Sequence, residues 1–153
     1  MTPGNAQSRT ASVLAAVERA MAELRRGGIV VLRDEDGSGG LVIAAESCSA
    51  RALQRLQGLA QGAPALVTTR RRAEAIGMEI PPHIAASMGE TSRAITLDLP
   101  EGVPVDIILA PHETEHTSRH IALRHLSRPV ASHASRIAET AIELAKLSRL
   151  LPA

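Results

Sequence analysis

Residues Val17–Glu46 read VERAMAELRRGGIVVLRDEDGSGGLVIAAE, and this stretch sets the architecture. Val13, Val17, Met21 and Leu24, flanked by Leu14 and Ala20, recur at the spacing of one helical face. Ser12 is placed to cap that helix, and Gly27-Gly28 is placed to stop it. Ile29–Leu32 is a short apolar run that reads as a buried strand, and Leu41–Ala45 reads as a second. Between them lies DEDGSGG, Asp34–Gly40, a turn that lets the two strands pair as a hairpin. A helix leading into a hairpin excludes a simple helical bundle and points to layered helix and sheet.

Outward from this stretch the same alternation continues. Ser49 is an N-cap for a helix carrying Ala52, Leu53, Leu56 and Leu59 on one face. Ala65–Thr68 reads as a strand and Arg70–Ile76 as a helix ended by Gly77. Pro81-Pro82 marks a loop. Ala94–Leu99 alternates, with Ile95, Leu97 and Leu99 on one side, and Val105–Leu109 reads as a further strand. Glu113–Leu126 is a polar helix candidate broken by Pro129. Ser135 opens a last helix whose inward face is Ile137, Ala141, Leu144 and Leu147 or Ser148. The mixed order of strands and helices gives a layered α/β or α+β domain, with residues 1–10 a flexible tail and residues 11–153 a single domain.

Composition narrows the function. Among 153 residues there is no Phe, Tyr or Trp, so the core is built from Leu, Ile, Val, Met and Ala. Modules that stack bases on aromatic rings, or cage cations with them, are excluded. A net charge of +1 argues against nucleic acid or an anionic membrane as the main partner. The basic run Arg70-Arg71-Arg72 reads as a solvated helix face. Cys48, the single cysteine, forms no internal disulfide. With no signal-peptide core and no apolar stretch of spanning length, the expected location is the cytoplasm, with no membrane partner.

Three constellations carry chemical meaning. The glycines of Gly37, Gly39 and Gly40 join strand to strand, which favours a hairpin tip over a phosphate cradle. Asp34, Glu35 and Asp36, with Glu46 across the hairpin, are oxygen ligands of the type Mg²⁺ takes, although a solvated turn uses the same residues. His112-Glu113-Thr114-Glu115-His116 matches H-E-x-x-H, and His120 continues the spacing, so His112, His116 and His120 form a candidate zinc set. Pro111 and the polar flanks of Thr, Ser and Arg weigh against it, and the expectation is no metal site.

The order of these pieces resembles the 3,4-dihydroxy-2-butanone 4-phosphate synthase family of riboflavin biosynthesis. In that family a helix ending in Gly leads to an apolar strand, an acidic hairpin D-E-D-R-E-N-E-G-D, and a strand like L-V-I-A-A-E. LVTTRRRAEAIGM (Leu66–Met78) and AETAIELAKLSRLLPA (Ala138–Ala153) resemble two further family segments. The resemblance implies a three-layer α-β-α sandwich of that synthase type, reduced in size, and a homodimer. It also implies a lost site. Asp34, Glu35 and Asp36 match the lead-in of the substrate-binding and metal-binding hairpin, but Gly37, Ser38, Gly39 and Gly40 stand where its working residues would be. The family's active-site cysteine falls at Ala65, ETEHTSRHI (Glu113–Ile121) lacks the substrate-binding pattern, and the segment carrying a metal-binding histidine is missing. Glu139 alone matches a catalytic position, with Ile137-Ala138 replacing the preceding His-Thr.

The resemblance therefore implies a catalytically degenerate domain with no cofactor, or Mg²⁺ if residual ribulose 5-phosphate lyase activity remains. In this family the domain is often fused to GTP cyclohydrolase II, and Ala153 lies about where that second domain would begin. A dimerisation, structural or regulatory role beside a GTP cyclohydrolase II domain is the expectation.

Overall fold

The computed structural model describes residues 3–60, 62–87, 94–112, 118–130 and 135–151. Helix α1 (Pro3–Arg25) leads into strands β1 (Val30–Arg33) and β2 (Gly39–Val42). A 3-10 turn at Ala45–Ser47 precedes α2 (Ala50–Leu59), β3 (Ala65–Thr69), α3 (Arg70–Ala75), α4 (Pro82–Ser87) and β4 (Ala94–Asp98). Then come α5 (Val105–Ile108), a 3-10 turn at Ala110–His112, α6 (Ser118–Leu126), β5 (Arg128–Val130) and α7 (Ser135–Leu147). The fold is α+β, one of the two layered classes that the pattern of residues allows. It holds two antiparallel sheets: the hairpin β1-β2, and a three-stranded sheet ordered β3-β4-β5.

Helix α7 lies between these sheets and touches strands of both, as well as α1. Leu144 packs with Leu24, Val30 and Ala44, and with Val17, Met21, Leu32 and Val42 around them. Ala138 and Ile142 pack on Ala94 and Val67 of the larger sheet. The other face of that sheet carries Leu66, Ile95 and Leu97 into the main core, where they meet Leu53, Ala73, Ile76, Ile107, Ile108 and Leu123. Ile95 and Leu97 are 1% and 0% exposed, so the alternation read along Ala94–Leu99 does mark the core face. The inward face of α7 runs through Ala141 and Leu144 to Ser148, whereas Leu147 is exposed.

Local signals explain most element ends. Ser49 Oγ accepts from the Ala52 amide at 3.2 Å, and Thr69 Oγ1 accepts from the Arg72 amide at 3.2 Å. Helix α3 ends as expected at Gly77, whose φ of +77° suits a left-handed cap. The amides of Gly77 and Met78 reach back to the carbonyls of Glu74 and Ala73.

Several expectations are corrected. Helix α1 starts at Pro3, within the stretch read as a polar tail and well before Ser12. Proline is well suited to a first helical position, and the exposure of Ser8–Ser12 explains why no apolar stripe announces this part. Val13, read as part of the buried face, is exposed. Val105–Leu109 is not a strand: Val105–Ile108 is a short helix after Pro104, with Ile107 and Ile108 both buried. A brief apolar run does not by itself separate a buried helix from a buried strand. Pro82 opens helix α4 rather than a loop. Pro129, read only as a helix breaker, sits in edge strand β5 opposite Leu97, a position that tolerates the missing N–H. Helix α6 is described from Ser118, and residues 113–117 of the expected helix lie outside the described residues.

The end of α7 repeats the cap of α3 with one difference. The Arg149 and Leu150 amides bond to the carbonyls of Lys146 and Ala145, but the left-handed residue is Arg149, with φ +58°. A non-glycine residue there costs roughly 1–2 kcal/mol, partly offset by the greater unfolded-state entropy of glycine. Arg149→Gly is expected to raise the unfolding free energy by about 0.5–1 kcal/mol in urea titrations. Cys48 belongs to the main core, and burial pushes its thiol above the ordinary value of 9.0. The neutral thiol is the form the fold favours, so its contribution is complete below that value and is lost as pH rises through the folded value. Cys48→Ala is expected to make the alkaline limb of the stability–pH curve shallower.

Candidate functional site

The acidic hairpin is the first place to look for chemistry. Its tip is closed by the Asp34 amide on the Ser38 carbonyl at 2.8 Å and the Gly37 amide on the Asp34 carbonyl at 3.1 Å. Side chains complete the turn. Asp34 Oδ1 accepts from the Glu35 amide at 2.8 Å, and Asp36 Oδ1 accepts from the Ser38 amide at 2.8 Å. Hydrogen bonds from Ser38 hold the Asp36 carboxyl below its ordinary value, with Arg136 adding a smaller push in the same direction.

Arg136 also ties the hairpin to α7, donating from Nη1 to Asp34 Oδ1 at 3.1 Å. Arg136 lies one residue into α7, and the hydrophobic pattern of that helix gives no signal for it. The pair is largely exposed on the arginine side, so it fixes position more than it adds stability. Close approach of β2 to the same helix depends on Gly40, where a Cβ would lie 3.1 Å from Ile137 Cγ2.

The other expected site residues are dispersed. Glu139 is half-buried on α7, and among the described residues no hydrogen bond or ion pair joins it to Asp34, Glu35 or Asp36. Glu46 accepts from the Leu151 amide at 3.2 Å, securing the end of the chain. Among the described residues, no group of three or more His, Cys, Asp or Glu is placed to hold a metal ion. Two of the three hairpin acids, Asp34 and Asp36, use Oδ1 to close the turn itself.

The histidine set is partly in view. His116, and the side chain of His112, lie outside the described residues. His120 is 3% exposed, and its Nε2 sits 2.8 Å from the Ala110 carbonyl. A carbonyl only accepts, so this nitrogen carries the proton and is turned away from metal ligation. Arg72, within the basic run read as a solvated face, instead bonds through Nε to the Pro111 carbonyl. No helix among the described residues is long and apolar enough to cross a membrane.

Beneath the hairpin lies a cavity of about 320 Å³ between β2, α2, β3 and α7. Its walls include Val42, Leu53, Leu66, Ile137, Ala141 and Cys48. Nothing in the motifs of the chain pointed to this space, because it arises from alanines spread over distant segments.

No family model matches the chain, and no solved structure matches it. Among curated proteins, it is 37% identical over 143 residues to GTP cyclohydrolase-2 of Azospirillum brasilense. The match takes in 93% of this chain and 34% of that protein, so the chain spans about a third of the length of the curated relative it matches.

Proposed function

We propose that the chain is a catalytically silent domain of the 3,4-dihydroxy-2-butanone 4-phosphate synthase type, serving a GTP cyclohydrolase II-type protein of riboflavin biosynthesis. The observation that carries this reading is the 37% identity to GTP cyclohydrolase-2 over nearly the whole chain. In this reading the described layers belong to a reduced α-β-α sandwich, the protein works in the cytoplasm, and any cyclohydrolase activity resides outside this domain.

Catalytic silence is supported by the use of Asp34 and Asp36 as turn ligands and by the glycines that follow them. Mg²⁺ needs several oxygens in near-octahedral array, and among the described residues no group of three or more acids or histidines is gathered to supply them. Glu139 is then a vestige. Incubation with ribulose 5-phosphate and Mg²⁺ is expected to release formate at the rate of the protein-free control. Formate well above that rate, abolished by Glu139→Gln, would establish a working lyase instead. Metal analysis after dialysis is expected to find no stoichiometric zinc, whereas one zinc per chain lost in His120→Ala would restore the histidine site.

A role in dimerisation is supported by the outer face of the hairpin. Val31 is 68% exposed there, and its register partner on β2 is Leu41. A second copy covering this face would remove apolar surface from water. Light scattering is expected to give the dimer mass for the native chain and a concentration-dependent shift toward monomer for Val31→Glu. A native chain that stays monomeric at high concentration would sink this part of the proposal.

A further inference from the structure

We propose that the cavity between β2, α2, β3 and α7 is a binding site for a neutral, unbranched aliphatic molecule with one uncharged polar head, of the class of medium-chain alcohols. This inference is independent of the riboflavin reading. It rests on the volume, the chemistry and the shape of the walls.

The volume of about 320 Å³ lies at the lower end of the range for small-molecule sites. It holds on the order of ten groups the size of a water molecule or a methylene. Both sides of the space are aliphatic, with Leu53 and Leu56 from α2 facing Ile137 and Ile142 from α7. No Asp, Glu, Lys, Arg or His lines it among the described residues. A charged ligand would therefore lose its hydration with no counter-charge to replace it. The chain also holds no aromatic ring, so a planar ligand finds no stacking face, while a flexible chain needs none. The polar side chains on the wall are few, chiefly the Gln57 amide and the Thr96 hydroxyl, both half-buried. They suit one hydroxyl or similar head, and not a sugar or a nucleotide.

Alanines on α7 create the room. Ala138, Ala141 and Ala145 all face the space, and a larger residue at any of them would occupy it. Ala65 lines the same space from β3.

Cys48 supplies a built-in reporter, since it lies on the wall and is the single cysteine of the chain. Octanol is the probe, and the rate of Cys48 alkylation by iodoacetamide is the readout, with a thermal melt in parallel. At about ten times its dissociation constant, octanol is expected to slow alkylation of the native protein about tenfold and to raise the melting temperature. Octanoate at neutral pH, with the same chain length and a charge, is expected to protect far less. Ala141→Leu and Ala65→Leu fill the space from two elements, and protection is expected to fall in whichever of them folds. Ile121→Ser, at an exposed position of α6 away from the cavity, is expected to leave it unchanged. Alkylation of the native protein unaffected by octanol up to its solubility limit would overturn the proposal. So would equal protection by octanoate, a comparison that needs no variant at all.

Discussion

The two sheets are joined by burial of one helix from two sides. Helix α7 presents Leu144 to α1 and the hairpin, and Ala138 and Ile142 to the three-stranded sheet. The three-stranded sheet has the main core on its other face, but a two-stranded hairpin is marginal in water without a partner. The buried residues Ala138, Ala141, Ile142, Leu144 and Ala145 form one broad face that serves both, while Arg136, Thr140 and Glu143 stay exposed. Alanine at positions 138, 141 and 145 lets the strands come close, and β2 meets the helix at a glycine, Gly40. The lack of aromatic residues is then a workable choice: thin layers built on alanine leave little room for large rings, and where the layers separate they leave a cavity.

The acidic hairpin shows how carboxylates can serve the backbone of a turn. A carboxylate that caps backbone amides is stabilised as an anion and fixed in direction. Both effects act at Asp36, while Asp34 is fixed in direction by the Glu35 amide and by Arg136. Gly37, Ser38, Gly39 and Gly40 leave the loop that follows short and without long polar side chains. The strands it joins pair antiparallel, Val30 with Val42 and Val31 with Leu41.

Much of this was legible in the residues, and the parts that were not have definite reasons. The hairpin, the Ser49 cap, the Gly77 stop and the core face of β4 follow from local rules that need no knowledge of the rest of the chain. Val105–Leu109 reads as a strand because a short apolar run around Asp106 carries no clear period, whereas in the fold Val105–Ile108 is a helix packed beside α6. Strand β5 was hidden because proline at an edge looks the same as proline at a break. At the candidate site, the residue types were visible but their partners were not. Arg136 meets Asp34 across 102 positions of sequence, and only the folded chain could pair them.

That long reach sets the order in which the molecule can be completed. Arg25 Nε bonds to the Ser148 carbonyl across 123 positions, Glu46 to the Leu151 amide across 105, and Asp34 to Arg136 across 102. A chain emerging from the ribosome presents α1 and the hairpin first, but the helix that covers them last. Until then Leu24, Val30 and Ala44 have no lid, and the early third of the chain waits with its apolar side in water or in the care of a chaperone. Closing loops of this size before any long-range contact rewards them slows folding relative to a helical bundle of similar length. For such a chain, the time between synthesis of the first helix and the last is itself a period of exposure to aggregation.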